Sequence, residues 1–229
     1  KARVLLFMGE YAAAAALADE VIQEGTRSLE KNYADVFGKN TSSKEIILMR
    51  YTDEVSAATD RKKFTYGSRH AIASTGFANL MSTDPRAATT FASSNKAILK
   101  VNQSEHDSPT YFIRLAEMYL IKAEGLARSG ASLEESKAPL EAIRSRAFGA
   151  PIISVATTTE ELLNQIYLEY LFELAFENGS EWFAGIRFNK IMTAKPQVTS
   201  TNQYILPIPL TEIQANSALS LSDQNPGYN

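Results

Sequence analysis

The chain contains no cysteine, which excludes a disulfide framework, a thiolate-bound zinc and a thiol nucleophile. It has two histidines, His70 and His106, far apart and neither with a second ligand at metal spacing, so no metal site is read. Gly-x-Ser-x-Gly, P-loop, Gly-x-Gly-x-x-Gly and His-Glu-x-x-His patterns are all missing. The common hydrolase, nucleotide-binding and metalloprotease chemistries, and the cofactors that go with them, therefore have no motif here. No block of Lys and Arg occurs and the net charge is −3, which together argue against a nucleic-acid partner. No apolar run is long enough to span a bilayer. The chain opens as KARVLLFMGEY without an initiator Met. Residue 1 is read as a cut inside a helix, with any export signal or lipid anchor belonging to a preceding segment.

What is present points to a helical protein. With 229 residues and 45% apolar content the chain can bury a sizeable core. Its organising stretch runs from Thr110 to Arg146. It reads as one long apolar helix from Thr110, a tight break at Ser129-Gly130, and a second helix. Arg114, Glu117, Glu124 and Arg128 make a narrow polar stripe, and most of the remaining surface is apolar, so the first helix is expected at the centre of the core.

Lys1 to Gln23 reads as the end of a helix, a turn at Gly9 and a second helix from Tyr11, with Ala12 to Ala16 allowing close approach of a neighbour. This is tetratricopeptide-like hairpin spacing, and Gly130 with Leu133 to Ile143 is a candidate second hairpin. Glu45 to Tyr51 is a short strand or an extended segment. Thr52 to Asp107 has no sustained period, and Ser and Thr supply 14 of its 56 residues, so it reads as loops with one or two short helices. One of these is expected to start at Asp84-Pro85-Arg86, with Asp84 as N-cap. Long irregular segments in compact domains often carry function. The candidate ligand-binding residues Phe64, Tyr66, Arg69 and His70 come from this one. Thr158 and Glu161 have capping-box spacing at the start of a helix expected to run to about Glu177. From Lys195 the tail is read as extended, because prolines at Leu206-Pro207-Ile208-Pro209 and Asn225-Pro226 oppose regular helix. The fold class is thus all-α, read as one domain over 1–229: a hairpin and extended segment (1–51), the irregular segment (52–107), and a helical core with a Pro-rich tail (108–229).

Glu169, Glu173 and Glu177 recur every fourth residue on the last long helix. Stacked carboxylates can serve acid–base or metal chemistry, but no Glu-x-x-His accompanies them. Like charges at this spacing destabilise a helix. The favoured reading is a structural ladder neutralised by arginines, with Arg144, Arg146 and Arg187 as candidate partners. Trp182, the single tryptophan, lies among Phe176, Phe183 and Phe188, and is read as core rather than as a sugar-stacking platform. No catalytic residue is assigned.

Four blocks in order resemble the SusD/RagB family of nutrient-capturing surface lipoproteins. They are Arg114-Leu115-Ala116-Glu117-Met118-Tyr119-Leu120-Ile121-Lys122-Ala123-Glu124; Ile143-Arg144-Ser145-Arg146-Ala147; Glu173-Leu174-Ala175-Phe176-Glu177; and a tail with Tyr204, Leu206 to Pro209, Glu212-Ile213, Asn216 and Gln224 to Tyr228. Asp84-Pro85-Arg86 also resembles a family step. Departures include Tyr170 where an Arg is usual and Asn178 before Gly179. Family members are usually about twice as long, so the resemblance covers their later half. It implies a tetratricopeptide-like scaffold, not an enzyme, that holds an oligosaccharide, or less readily a peptide. The partner implied is a SusC-like TonB-dependent transporter, and the location implied is the outer-membrane surface with a lipid anchor. It assigns no ligand residue. Two other readings stay open: an interaction scaffold without a small ligand, and a glycoside hydrolase, which needs two carboxyl groups facing one cleft about 5–10 Å apart.

Overall fold

The computed structural model describes residues 1–50, 72–101 and 109–228. Phe64, Tyr66, Arg69, His70 and His106 lie outside the described residues. The chain divides into two compact units, Lys1–Ala184 and Gly185–Asn229.

The first unit opens with helices α1 (Ala2–Phe7) and α2 (Tyr11–Gln23), joined at Gly9, whose φ of +80° is the left-handed conformation a tight interhelical turn requires. Helix α3 (Tyr33–Gly38) and strand β1 (Ile46–Arg50) follow. The irregular segment contributes α4 (Thr75–Leu80) and α5 (Ala87–Thr90). Then come strand β2 (Thr110–Arg114) and helices α6 (Leu115–Ser129), α7 (Leu133–Phe148) and α8 (Thr159–Leu174). Helix α9 (Ser180–Arg187) begins in this unit.

Helix α6 is central. It packs on α1, α2, α7 and α8, and Leu115, Leu120, Ile121 and Ala123 are among its many buried side chains. Its tightest neighbour is α2, whose Ala14, Ala15 and Ala18 are buried. A Cβ at Gly125 would fall 2.6 Å from the carbonyl oxygen of Tyr11 and 2.9 Å from Cβ of Ala15, so only glycine permits this crossing. The hairpins α1–α2 and α6–α7 therefore stack side by side although the irregular segment separates them in sequence.

The expected helix start at Thr110 is wrong. Thr110 to Arg114 is strand, paired antiparallel with β1 through Met49↔Tyr111 and Arg50↔Thr110, with irregular register toward Ile46↔Arg114. Thr, Tyr, Phe and Ile fit a pleated, half-buried surface better than a helix start, and pairing with β1 decides it. Arg114, the N-cap of α6, has extended φ/ψ and leaves the helix stripe to point inward.

The helix boundaries follow local chemistry. Gly130, at φ +83°, ends α6. A full capping box starts α7: Ser132 Oγ accepts from the Glu135 N–H at 3.3 Å, and Glu135 accepts from the Ser132 N–H at 3.1 Å. At α8 the expected box is displaced. Thr158 Oγ1 accepts from the Glu161 N–H, but the Glu161 carboxylate accepts from the N–H of Thr157, at 2.7 Å. Helix α8 stops at Leu174, with Ala175 extended, so Glu177 lies off the helix rather than on its third rung. Nor does Asp84 cap a helix. Helix α5 starts at Ala87, and the Asp84 carboxylate holds the side chain of Arg86 instead.

Two clusters of the core lie among the described residues. One joins Leu6, Ala14 and Ala18 to Leu115, Met118 and Ile121. The other gathers Tyr33, Val36 and Phe37 with Ile46, Met81, Phe91, Ile98 and Tyr111, tying the irregular segment to the sheet.

The second unit contains α10 (Ile191–Ala194) and α11 (Leu210–Ala215), with 3-10 turns at Thr201–Tyr204 and Leu221–Asp223. The tail is thus less extended than expected, because Pro209 serves as the N-cap of α11 and interrupts no helix. Gln224 closes it: its amide accepts from the Ile208 N–H at 2.8 Å and donates to the Ile208 carbonyl at 2.9 Å. Asn225 Nδ2 donates to the Leu206 carbonyl. The Leu206–Pro209 strap and the Gln224–Tyr228 block therefore form one motif.

Candidate functional site

The carboxylate ladder leads to a buried ion network. Glu173 lies at the end of α8 with no exposed surface. Its carboxylate accepts from Arg86 Nη1 at 2.9 Å, from Arg114 Nη1 at 3.1 Å and from Arg146 Nη2. Arg86 is gripped bidentately by Asp84, at 2.8 and 2.7 Å, and also reaches Glu169. Arg114 forks onto Glu177, with Nε to Oε2 at 2.6 Å and Nη2 to Oε1 at 2.9 Å, and its Nη1 also meets Glu45. Arg146 bridges to Glu45 at 2.8 Å. Lys100 pairs with Glu177.

The network also caps a helix. Because α8 ends at Leu174, its last carbonyls lack intrahelical partners. The Glu173 carbonyl accepts from Lys100 Nζ at 2.7 Å, Arg114 Nη2 at 2.9 Å and the Tyr33 hydroxyl at 3.2 Å. Two cations at a helix C-terminus also complement its dipole. Burial raises the Glu173 carboxyl, but Arg146, Arg114, Arg86 and Lys100 outweigh it and bring the pKa down to about 2. Burial leaves Glu169 and Glu45 raised despite their arginine partners. It also lowers Lys100 to about 8, with Arg114 acting in the same direction and Glu177 opposing.

The ladder is therefore neutralised by arginines, as expected, but mostly by other ones. Arg146 is a partner. Arg144 comes only within 4.0 Å of Glu169, and Arg187 falls in the second unit. Arg86, Arg114 and Lys100 were missed. Each is a cation inside an apolar or Pro-bounded run (Ile113-Arg114-Leu115, Leu99-Lys100-Val101, Pro85-Arg86-Ala87), which was the available signal. Glu169 and Glu173 face arginines instead of an open cleft, so these two do not supply the carboxyl pair of a glycoside hydrolase.

A cleft of about 290 Å³ lies beside the network, lined by Val101, Thr110, Tyr111, Phe176, Glu177, Asn178, Gly179 and Glu181. Its wall from Phe176 to Gly179 is an unusual turn, with φ of 64° at Phe176, 52° at Asn178 and 69° at Gly179. Phe176 anchors it by packing edge-on against Phe77, 5.7 Å between ring centroids. Trp182, expected in the core, is half-buried on α9. Its neighbour Phe183 stacks on Phe7 at 5.4 Å, and both rings are exposed.

Comparisons with known proteins agree with this architecture. The chain superposes on a laminarin binding SusD-like protein with a TM-score of 0.75 and 24% identity, covering 99% of this chain and 61% of the other. It matches a SusD superfamily protein from Bacteroides thetaiotaomicron (0.74, 19%, covering 100% and 56%). It also matches surface glycan-binding protein A from Bacteroides fluxus (0.75, 18%, covering 100% and 61%). The chain thus spans about three-fifths of the length of these structures. No curated protein matches. Residues 78–195, which hold Arg86, Lys100, Arg114, Arg146 and the whole ladder, match the model of the SusD family. That match covers just over half of the sequence, and the chain belongs to the SusD family.

Proposed function

We propose that this protein binds a glycan at the bacterial outer-membrane surface and delivers it to a SusC-like TonB-dependent transporter, without chemical change to the ligand. The observation that carries this reading is the family match over residues 78–195. The superposition on a laminarin binding protein and a surface glycan-binding protein supports it. The arginine-locked ladder supports a scaffold in which charge is spent on rigidity. The ligand residues belong to the irregular segment: Phe64 and Tyr66 stack on sugar rings, and Arg69 and His70 hydrogen-bond hydroxyls. An oligosaccharide is the first ligand class and a peptide the second.

The test is a calorimetric titration against a panel of oligosaccharides, laminarin fragments included, and peptides. A saturable heat with at least one oligosaccharide, weakened tenfold or more in Tyr66→Ala, supports both role and site. Binding unchanged in Tyr66→Ala moves the site, and silence across the panel overturns the glycan reading. A protein-only scaffold is favoured by one observation, the exposed apolar side chains Val4, Phe7 and Met8 on and just after α1. It predicts that silence.

A further inference from the structure

In the turn from Phe176 to Gly179, Phe176 is the residue whose type gives no reason for its backbone shape. Two non-glycine residues, Phe176 and Asn178, hold left-handed backbone within three positions. Asn178 and Gly179 adopt that conformation readily, whereas Phe176 disfavours it and keeps it where its surroundings impose it. Glu177 sits between Phe176 and Asn178, and its carboxylate is the attachment. Arg114 takes both oxygens and Lys100 takes one. The same two cations bind the Glu173 carbonyl just before the turn. The backbone is thus pinned on both sides of Ala175 by one pair of side chains.

We infer that the Phe176–Gly179 turn is a latch fastened through Glu177, and that loss of the Lys100 charge loosens it and reshapes the cleft it borders. The inference concerns this turn alone and does not depend on the identity of the ligand. Lys100 is the titratable half of the fastening, since Arg114 stays charged at all relevant pH. Among the described residues, the groups facing Lys100 are Glu173 and Glu177 from α8 and the turn, Arg114 from β2, and Tyr33 with Phe37 from α3, both rings within 5.4 Å of Nζ. Burial holds Tyr33 neutral well above the ordinary tyrosine range, and Glu173 is ionised far below neutrality. Lys100, near 8, is thus the member of this group that changes charge between pH 7 and 9.5.

The sequence supplies its own reporter. Trp182 is the single tryptophan, and its backbone N–H donates to the Gly179 carbonyl at 3.0 Å. Tryptophan emission, excited apart from tyrosine, is followed from pH 6.5 to 9.5, with hydrogen-exchange protection of the Glu177–Phe183 amides measured in parallel. The expected result is a sigmoidal emission change with a midpoint near pH 8, and a tenfold or greater drop in corrected protection on its alkaline side. Lys100→Met should sit at the alkaline plateau throughout and Lys100→Arg at the acidic one. Far-UV circular dichroism establishes that each variant is folded. If Lys100→Met does not fold, Lys100→Arg alone decides, because its profile must be flat. A folded wild-type chain flat in both readouts overturns the inference, as does a transition that survives in Lys100→Arg.

Discussion

Arg114 meets three carboxylates and a helix-terminal carbonyl from a position with 1% exposure. Replacing it by methionine keeps an unbranched side chain there and, among the described residues, leaves Glu177 paired with Lys100 and Glu45 with Arg146. Removing one partner from a buried charge network costs about 3–5 kcal/mol, and urea unfolding of Arg114→Met should show a loss of that order. A loss under about 1 kcal/mol would mean that the pair is exposed or dispensable. The pH dependence has a definite sign. Glu173 has a folded pKa of about 2 against an ordinary 4.5, so the unfolded chain takes up its proton first as pH falls. Its contribution is complete above pH 4.5 and is lost on descent to about 2, roughly 3 kcal/mol in all. Glu169 and Glu45, raised by burial, act in the opposite sense, so acid favours the folded state through them. The difference in stability between the wild type and Glu173→Gln isolates the first effect. It should shrink by about 3 kcal/mol between pH 5 and 2; a constant difference contradicts the assignment. The ladder itself was legible in the sequence, because four-residue spacing is local. Its partners were not, since Arg86 stands 83 residues from Glu169 and no local pattern joins them.

Among the elements, the breaks at Gly9 and Gly130 read well, whereas the Asp84 cap and the strand did not. Gly9 and Gly130 announce helix ends through short-range chemistry that tertiary structure leaves intact, whereas the box expected at Thr158 shifts to Thr157 and the Ser132–Glu135 box went unread. Strand β2 was hidden because its Tyr111, Phe112 and Ile113 run without a break into the apolar face of α6. Only β1, some sixty residues earlier, selects the extended form. The α2–α6 crossing gives a prediction of its own. Gly125→Ala forces a methyl group against Tyr11 and Ala15, and overpacking of this kind costs about 1–3 kcal/mol. Gly38→Ala, at the end of α3 with nothing within 4 Å of its Cβ, is the control and should be neutral or stabilising by less than about 1 kcal/mol. Thermal melts of the two variants test the pair, and equal melting temperatures would contradict the close approach of α2 and α6.

For the whole molecule, two hairpins distant in sequence stack around α6, and a buried charge network ties the irregular segment to α8. Arg86 and Lys100 come from that segment, and Glu169, Glu173 and Glu177 from α8 and the turn after it, so the loop-rich stretch is bolted to the scaffold through ion pairs. The helical class and the family were legible because the matching blocks lie on the core helices and the tail. No such block covers the segment proposed to bind ligand, which has no periodic signature, and Phe64, Tyr66, Arg69 and His70 lie outside the described residues. The role proposed for this molecule is that of a rigid scaffold that captures a glycan and releases it unchanged. The most direct measurement is calorimetric titration with oligosaccharides, with the ligand recovered from the cell and sized by chromatography. The account predicts saturable binding and ligand of its original length. No binding to any oligosaccharide, or shortened products formed at a rate abolished in Glu169→Gln, would contradict it.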